Sequence, residues 1–224
     1  MTSSPVPGLI VFDCDGVLVD SELLAAGVLA RELSAIGFPM TAEGCIERFS
    51  GVAMPEVLRR IEDDRGRPLP TDFAETVRAR DADAFRAELQ PLPGARGMLA
   101  ALTLPRCVAS SGRLAKMRLT LAITGLLEFF EPHLFSAEMV ARGKPAPDLF
   151  LHAAAEMHSP PADCLVIEDS LAGVRAGVAA GMRVFGFVGG SHCPPDHGRR
   201  LRDAGAERVF DRLAALPELL NGSV

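Results

Sequence analysis

Asp13 and Asp15 stand two residues apart at the end of the apolar run Leu9 to Phe12. Ser110 closes a second apolar run, Arg106 to Ala109. Lys144 follows a third run, His133 to Ser136, and Glu168 and Asp169 close a fourth, Leu165 to Ile167. Each residue has a structural explanation of its own. Asp15-Gly16 can be a turn, Ser110 or Asp169 can cap the next helix, and Lys144 can be a solvated surface lysine. Together, at one edge, they support phosphoryl transfer through an aspartate. Asp13 attacks phosphorus. Asp15 protonates the leaving oxygen and then activates water. Ser110 and Lys144 hold the non-bridging oxygens. Clustered carboxylates repel one another and a dianionic phosphate unless a cation sits between them. Asp13, the Asp15 carbonyl and Asp169 offer hard oxygens, which suit Mg²⁺ with some water retained. Glu168 is expected to hold one of those waters or to ligate directly.

The elements that must bring these residues together follow from the pattern. An apolar run that ends in a charge reads as a buried strand of a parallel sheet, and ligands bind at the carboxyl ends of such strands. From residue 91 onward strands alternate with helices, closing with Val184 to Val188 and an edge strand at Val209-Phe210. This implies βαβ units and an α/β, Rossmann-like parallel sheet. Between Ser21 and Leu89 the pattern is helical throughout, with a helix stop at Gly37, a start near Thr41, and Pro55 in a first turn. The expected organisation is a core made of residues 1–19 and 91–224, with an all-helical cap, residues 20–90, inserted after the first strand. Such a cap would cover the edge, exclude water and read the leaving group.

Composition narrows the class. The 224 residues are 48% hydrophobic with a net charge of -6, enough for a sizeable core and without a basic footprint for nucleic acid. No apolar run approaches the ~20 residues needed to span a bilayer, and the opening MTSSPVPG lacks the parts of a secretory signal. The five cysteines are scattered without a CxxC pair, which suits a reducing cytoplasm. Only Lys116 and Lys144 are lysines. Ser191 to His197, SHCPPDH, holds potential zinc ligands, but its two prolines and irregular spacing read as a solvated loop. The nearby Arg199, Arg200 and Arg202 read as a solvated helix face.

The motifs resemble those of the haloacid dehalogenase superfamily over essentially the whole chain. FDCDGVLVDSE is similar to the family's first motif, VASSG to the second, GKPAPDLF to the third and IEDSLAGVRAGVAAGM to the fourth. The resemblance implies a nucleophile at Asp13, an acid/base at Asp15, phosphate contacts at Ser110, Ser111, Gly112 and Lys144, and a Mg²⁺ site at Asp13, Asp15, Glu168 and Asp169. An aspartate at position 15 points to a phosphatase or phosphomutase. Mutases of the β-phosphoglucomutase type carry a histidine where Ala25 stands and an arginine just after the Gly51-Val52 pair, where this chain has Ala53 and Met54. The cap stretch RFSGVAM resembles bacterial sugar-phosphate phosphatases, including the 6-phosphogluconate phosphatase branch, and makes Arg48, Gly51 and Met54 candidate substrate contacts. Arg48 reads equally as cap surface and Met54 as cap core.

The expectation is a Mg²⁺-dependent phosphatase of a small sugar or sugar-acid phosphate, monomeric and cytoplasmic. A sugar phosphomutase is the alternative. A phospho-acceptor signalling domain of the receiver type uses a similar residue set, but in a different order and without a helical insert.

Overall fold

Strand β1 (Leu9–Phe12) carries no polar face. Leu9 and Val11 point into one core, Ile10 and Phe12 into another, and all four are fully buried. Such a strand belongs at the centre of a parallel sheet, and it lies there. The computed structural model describes residues 6–220; residues 1–5, part of the expected polar lead-in, and 221–224 lie outside it. The other strands are β2 (Arg106–Ser110), β3 (Leu134–Ser136), β4 (Cys164–Glu168), β5 (Arg183–Phe187) and β6 (Arg208–Phe210). All are parallel, in the order β3-β2-β1-β4-β5-β6. The chain leaves β1 toward β2 on one side and returns to β4 on the other, so the strand order reverses beside β1. Clefts that take ligands form at such a switch point.

Helices close both faces. Helices α5 (Ala95–Ala101), α6 (Leu114–Ile123) and α10 (Leu216–Leu220) pack with Ile10, Phe12 and Ile167. Helices α7 (Asp148–Glu156), α8 (Leu171–Ala179) and α9 (His197–Asp203) pack with Leu9, Val11 and Val166. Between β1 and α5 lie α1 (Glu22–Ala35), α2 (Ala42–Phe49), α3 (Met54–Arg65) and α4 (Phe73–Glu88). They have a core of their own, which includes Leu33, Phe49, Ile61, Phe73 and Val77. The caps match the chemistry of the sequence. Thr41 Oγ1 accepts from Gly44 N at 3.0 Å, and Gly66 ends α3 at φ 64°.

Strands β2 and β4 run one residue further than their apolar runs, because ladder pairing uses backbone and not side chain. Ser110 pairs with Ser136 and Glu168 with Gly186. Helix α7 starts two residues later than its apolar pattern begins, since Pro147 biases the residue before it away from helical backbone and itself occupies the N-cap. Ser191 to His197, expected as a solvated loop, buries both of its histidines, and the last residue opens α9.

Candidate active site

Register sets the site. Phe12 is level with Val108 on β2 and with Ile167 on β4. Asp13 is therefore level with Ala109 and Glu168, and its N–H donates to Ile167 O at 2.9 Å. Lys144 Nζ arrives at this level from the loop after β3. It donates to Asp13 Oδ1 at 2.6 Å, Glu168 Oε1 at 2.7 Å and Ala109 O at 3.0 Å. All three ammonium donors are used. The Lys144 side chain is 1% exposed, so its charge is maintained by partners rather than by water. Burial works against that charge, and Asp13 and Glu168 more than offset it, so the Lys144 pKa is raised. Burial raises Asp13; Lys144 opposes this, while Glu168, Asp169 and Asp15 add to it, and the net shift is well upward.

Glu168 is held from its other side. Its Oε2 accepts from Ser170 N at 2.7 Å and Ser170 Oγ at 3.0 Å, and Ser170 Oγ in turn caps α8 by accepting from Gly173 N at 3.0 Å. The turn fits only around glycine, since a Cβ on Gly173 would lie 1.6 Å from Glu168 Oε1. Glu168, expected to hold a metal-bound water or to ligate directly, makes these contacts in the structure. Both of its oxygens are occupied, and the residue anchors Lys144.

Asp15 points the other way. Its Oδ1 accepts from Ser21 Oγ at 2.5 Å and lies 2.9 Å from Lys116 Nζ. Burial raises its pKa, but Lys116 and Ser21 outweigh that and hold it below the usual carboxylate range. With Oδ1 so engaged, the Asp15 carbonyl is the oxygen expected to serve a cation. Gly16 turns the chain here with φ 77°; a Cβ would stand 1.9 Å from Asp169 Oδ2. The Ser110 loop is fixed internally. Ser110 Oγ accepts from Gly112 N at 3.0 Å, and Ser136 Oγ donates to Gly112 O at 2.8 Å. Neither Ser110 nor Asp169 caps a helix; Ser170 does.

A cavity of about 670 Å³ opens above this edge. Asp13, Asp15, Ser110, Ser111, Lys144 and Asp169 line its sheet side. Leu29, Phe49, Met54 and Phe85 line the side formed by the inserted helices, as do the Ala25 methyl and the carboxylates of Glu22 and Asp81. Burial pushes both acids up to about 7. Gly51 lines the cavity too, and its carbonyl accepts from Ser111 Oγ at 3.2 Å, joining insert to core. Arg48 does not reach the cavity: it projects outward and pairs with Asp64. Expected as a substrate contact, it lies off the cavity lining because α2 turns Cys45 and Phe49 inward and leaves Arg48 toward solvent.

Lys116, His192 and His197 were missed as site residues. Lys116 had one signal, its rarity, since both lysines of this chain end on the paired aspartates. His192 Nε2 lies 2.9 Å from Asp169 Oδ2, and His197 Nε2 lies 2.5 Å from the Asp169 carbonyl oxygen.

The donor chemistry fits a hard divalent cation. Four carboxylates (Asp13, Asp15, Glu168, Asp169) face two ammonium groups (Lys116, Lys144), an excess of negative charge before any phosphate enters. Buried Asp169 Oδ2 has no well-aligned hydrogen bond. Among the described residues no three His, Cys, Asp or Glu side chains form a closed metal set. An open site of two carboxylates, one carbonyl and water is the arrangement Mg²⁺ tolerates.

A parallel sheet with an aspartate pair, a hydroxyl, a lysine and a second acidic pair at its carboxyl edge is the arrangement of a phosphomonoester hydrolase. Residues 7–181 match the family model described as haloacid dehalogenase-like hydrolase, and the chain belongs to that family. It is 35% identical over 211 residues to 6-phosphogluconate phosphatase of Escherichia coli (strain K12), covering 94% of this chain and 93% of that one. A conserved haloacid dehalogenase-like protein of Agrobacterium tumefaciens superposes with a TM-score of 0.83 at 39% identity, covering 96% and 97% of the two chains. A family hydrolase of Deinococcus radiodurans, solved with bound phosphate and sodium, gives 0.78 at 31% identity, with 98% and 97% covered. Among the described residues no helix is long and apolar enough to cross a membrane.

Proposed function

We propose that this enzyme is a Mg²⁺-dependent phosphatase that hydrolyses a small sugar or sugar-acid phosphate such as 6-phosphogluconate through an aspartyl-phosphate. The observation that carries the reading is the buried Lys144 bridging Asp13 and Glu168 on the floor of the cavity. An Asp13 carboxylate oxygen attacks phosphorus, and the bond from phosphorus to the leaving oxygen breaks as Asp15, ionised in the free enzyme and protonated by the entering phosphate monoanion, gives that oxygen its proton. Asp15 then takes a proton from water, whose oxygen attacks phosphorus. The Asp13–phosphorus bond breaks, and phosphate and a protonated Asp15 result. The Ser110 hydroxyl and the Ser111 and Gly112 loop orient the non-bridging oxygens, and the Lys144 charge beside Asp13 attracts them. Asp13, the Asp15 carbonyl and Asp169 would hold the cation. When bound, it neutralises the negative charge that phosphate brings.

The inserted helices act as the cap. Their wall of Leu29, Phe49, Met54 and Phe85 excludes water, while Glu22 and Asp81 accept hydrogen bonds from leaving-group hydroxyls. With Ala25 and Met54 on that wall, no cation grips a second phosphate at the positions mutases use for it, which supports hydrolysis over mutase chemistry. The test is phosphate release from sugar, sugar-acid, hexitol and nucleoside phosphates with and without Mg²⁺. Wild type should release phosphate from a sugar or sugar-acid phosphate only with the cation, and Asp13→Asn should lose at least ~10³-fold in kcat. Wild-type turnover by Asp13→Asn, or full activity after chelation, overturns the proposal.

A further inference from the structure

The stretch from Gly189 to His197 leaves β5 and returns along the strand-end edge. Its prolines and lack of periodicity suggest a solvated loop, yet both histidines are buried. The side chains of His192 and Asp169 are 2% and 4% exposed. His197 Nε2 donates to the Asp169 carbonyl at 2.5 Å; a carbonyl only accepts, so this nitrogen carries the proton. His192 Nε2 faces Asp169 Oδ2 at 2.9 Å. Asp169 is thus hydrogen-bonded at its backbone by one ring and held in close ion-pair contact at Oδ2 by the other, without an aligned hydrogen bond there, which leaves lone-pair capacity on Oδ2 and the whole of Oδ1 for a cation. The two rings meet edge to face with centroids 6.3 Å apart.

The slot for His192 is cut from glycine. A Cβ on Gly190 would lie 2.7 Å from the His192 ring, and one on Gly16 would lie 2.8 Å from its Cε1. Between these contacts, Ser191 N and Oγ donate to Asp20 Oδ1 at 3.2 and 2.8 Å. Asp20 lies where the chain enters the inserted helices. The stretch is therefore fastened at both ends, to Asp169 and to the root of the insert.

We propose that residues 189–197 form a strap in which His192 and His197 are positioning residues that fix Asp169 for the cation. The inference rests on the cation-dependent reading above. Groups that hydrogen-bond a metal ligand orient it and raise its affinity, and their removal costs about 10- to 100-fold in metal binding.

The experiment titrates Mg²⁺ into the full chain by calorimetry and Mn²⁺ by electron paramagnetic resonance. It compares wild type with His192→Leu, His192→Gln, His192→Asn and His197→Leu, with thermal melts alongside. The leucine variants should weaken cation binding by about tenfold. His192→Gln, whose amide nitrogen reaches toward the Nε2 position, should bind within about threefold of wild type, whereas the shorter His192→Asn should resemble leucine. The Mg²⁺ concentration for half-maximal rate should rise in step, with kcat at saturating Mg²⁺ largely kept. A merely structural role would lower the melting temperature without moving the dissociation constant. If the leucine variants do not fold, the asparagine and glutamine pair decides. Equal affinity across wild type and the folded variants overturns the strap and leaves the phosphatase reading standing. A wild type that binds neither cation overturns both.

Discussion

The two walls of the cavity differ in how far their polar groups are satisfied. At the strand-end edge Lys144 spends all three donors and Glu168 both oxygens, on partners fixed by sheet register and by the α8 cap. On the insert side the surface is largely apolar, with Glu22, Ser50, Arg78 and Asp81 as its polar side chains, and Asp81 Oδ1 has no hydrogen-bond partner. A closed network is rigid and indifferent to what lies beyond it, while an open one keeps hydrogen-bonding capacity for a ligand. In the proposed function the contrast divides the labour: the edge takes the phosphoryl group and the insert wall takes the remainder of the substrate.

That division can be broken at its strongest point. Lys144→Met leaves Asp13 and Glu168 buried without their cation, and should cost about 3–5 kcal/mol along with all measurable phosphate release. Urea melts that place the variant within ~1 kcal/mol of wild type would show that the edge is not a closed network.

A smaller effect tests the open wall. Glu22 and Asp81 have folded pKa values of about 7, above their unfolded values. Their protonated forms therefore favour the fold. The stability they contribute is full below the unfolded carboxylate pKa and is lost as pH rises through about 7. Both are half-buried, so the loss amounts to ~1 kcal/mol. The double variant Glu22→Gln, Asp81→Asn should flatten the stability profile between pH 4 and 8 by that amount and raise KM for hydroxyl-rich substrates. A profile parallel to wild type contradicts the assignment. The smallest change is expected at Arg48→Ala. Its exposed pair with Asp64 lies away from the cavity, so stability should stay within ~0.5 kcal/mol and KM within about twofold. A larger rise in KM would return Arg48 to the substrate wall.

Much of the edge was legible because its residues follow apolar runs. The run Leu9 to Phe12 predicts a central strand, and a charge directly after it must lie at the strand's carboxyl end. The same logic located Ser110, Glu168 and Asp169, and the structure brings them together with Asp13. Division of roles within the acidic pair was not legible. Glu168 differs from Asp169 through Ser170 and Gly173, a cap geometry that no run or period encodes. Spacing along α2 did not reveal that Arg48 lies on the face turned away from the cavity. His192 and His197 were hidden for the opposite reason. Prolines and polar residues mark local irregularity, whereas the burial of these rings comes from Asp169, more than twenty residues upstream.

The root of the insert carries a consequence of its own. Val19 bridges both Asp15 and Pro91, Asp20 N donates to Gln90 O at 3.1 Å, and Leu92 N donates to Leu18 O at 2.9 Å. The outgoing and returning segments are thus laced into a short ribbon. A ribbon bends readily across its plane and resists twisting or shear, so it acts like the leaf of a door rather than a ball joint. It also keeps the two ends of the excursion side by side. Helices between them can be lengthened, shortened or exchanged for another set without altering the sheet's register, so such a chain can change its substrate while keeping its chemistry.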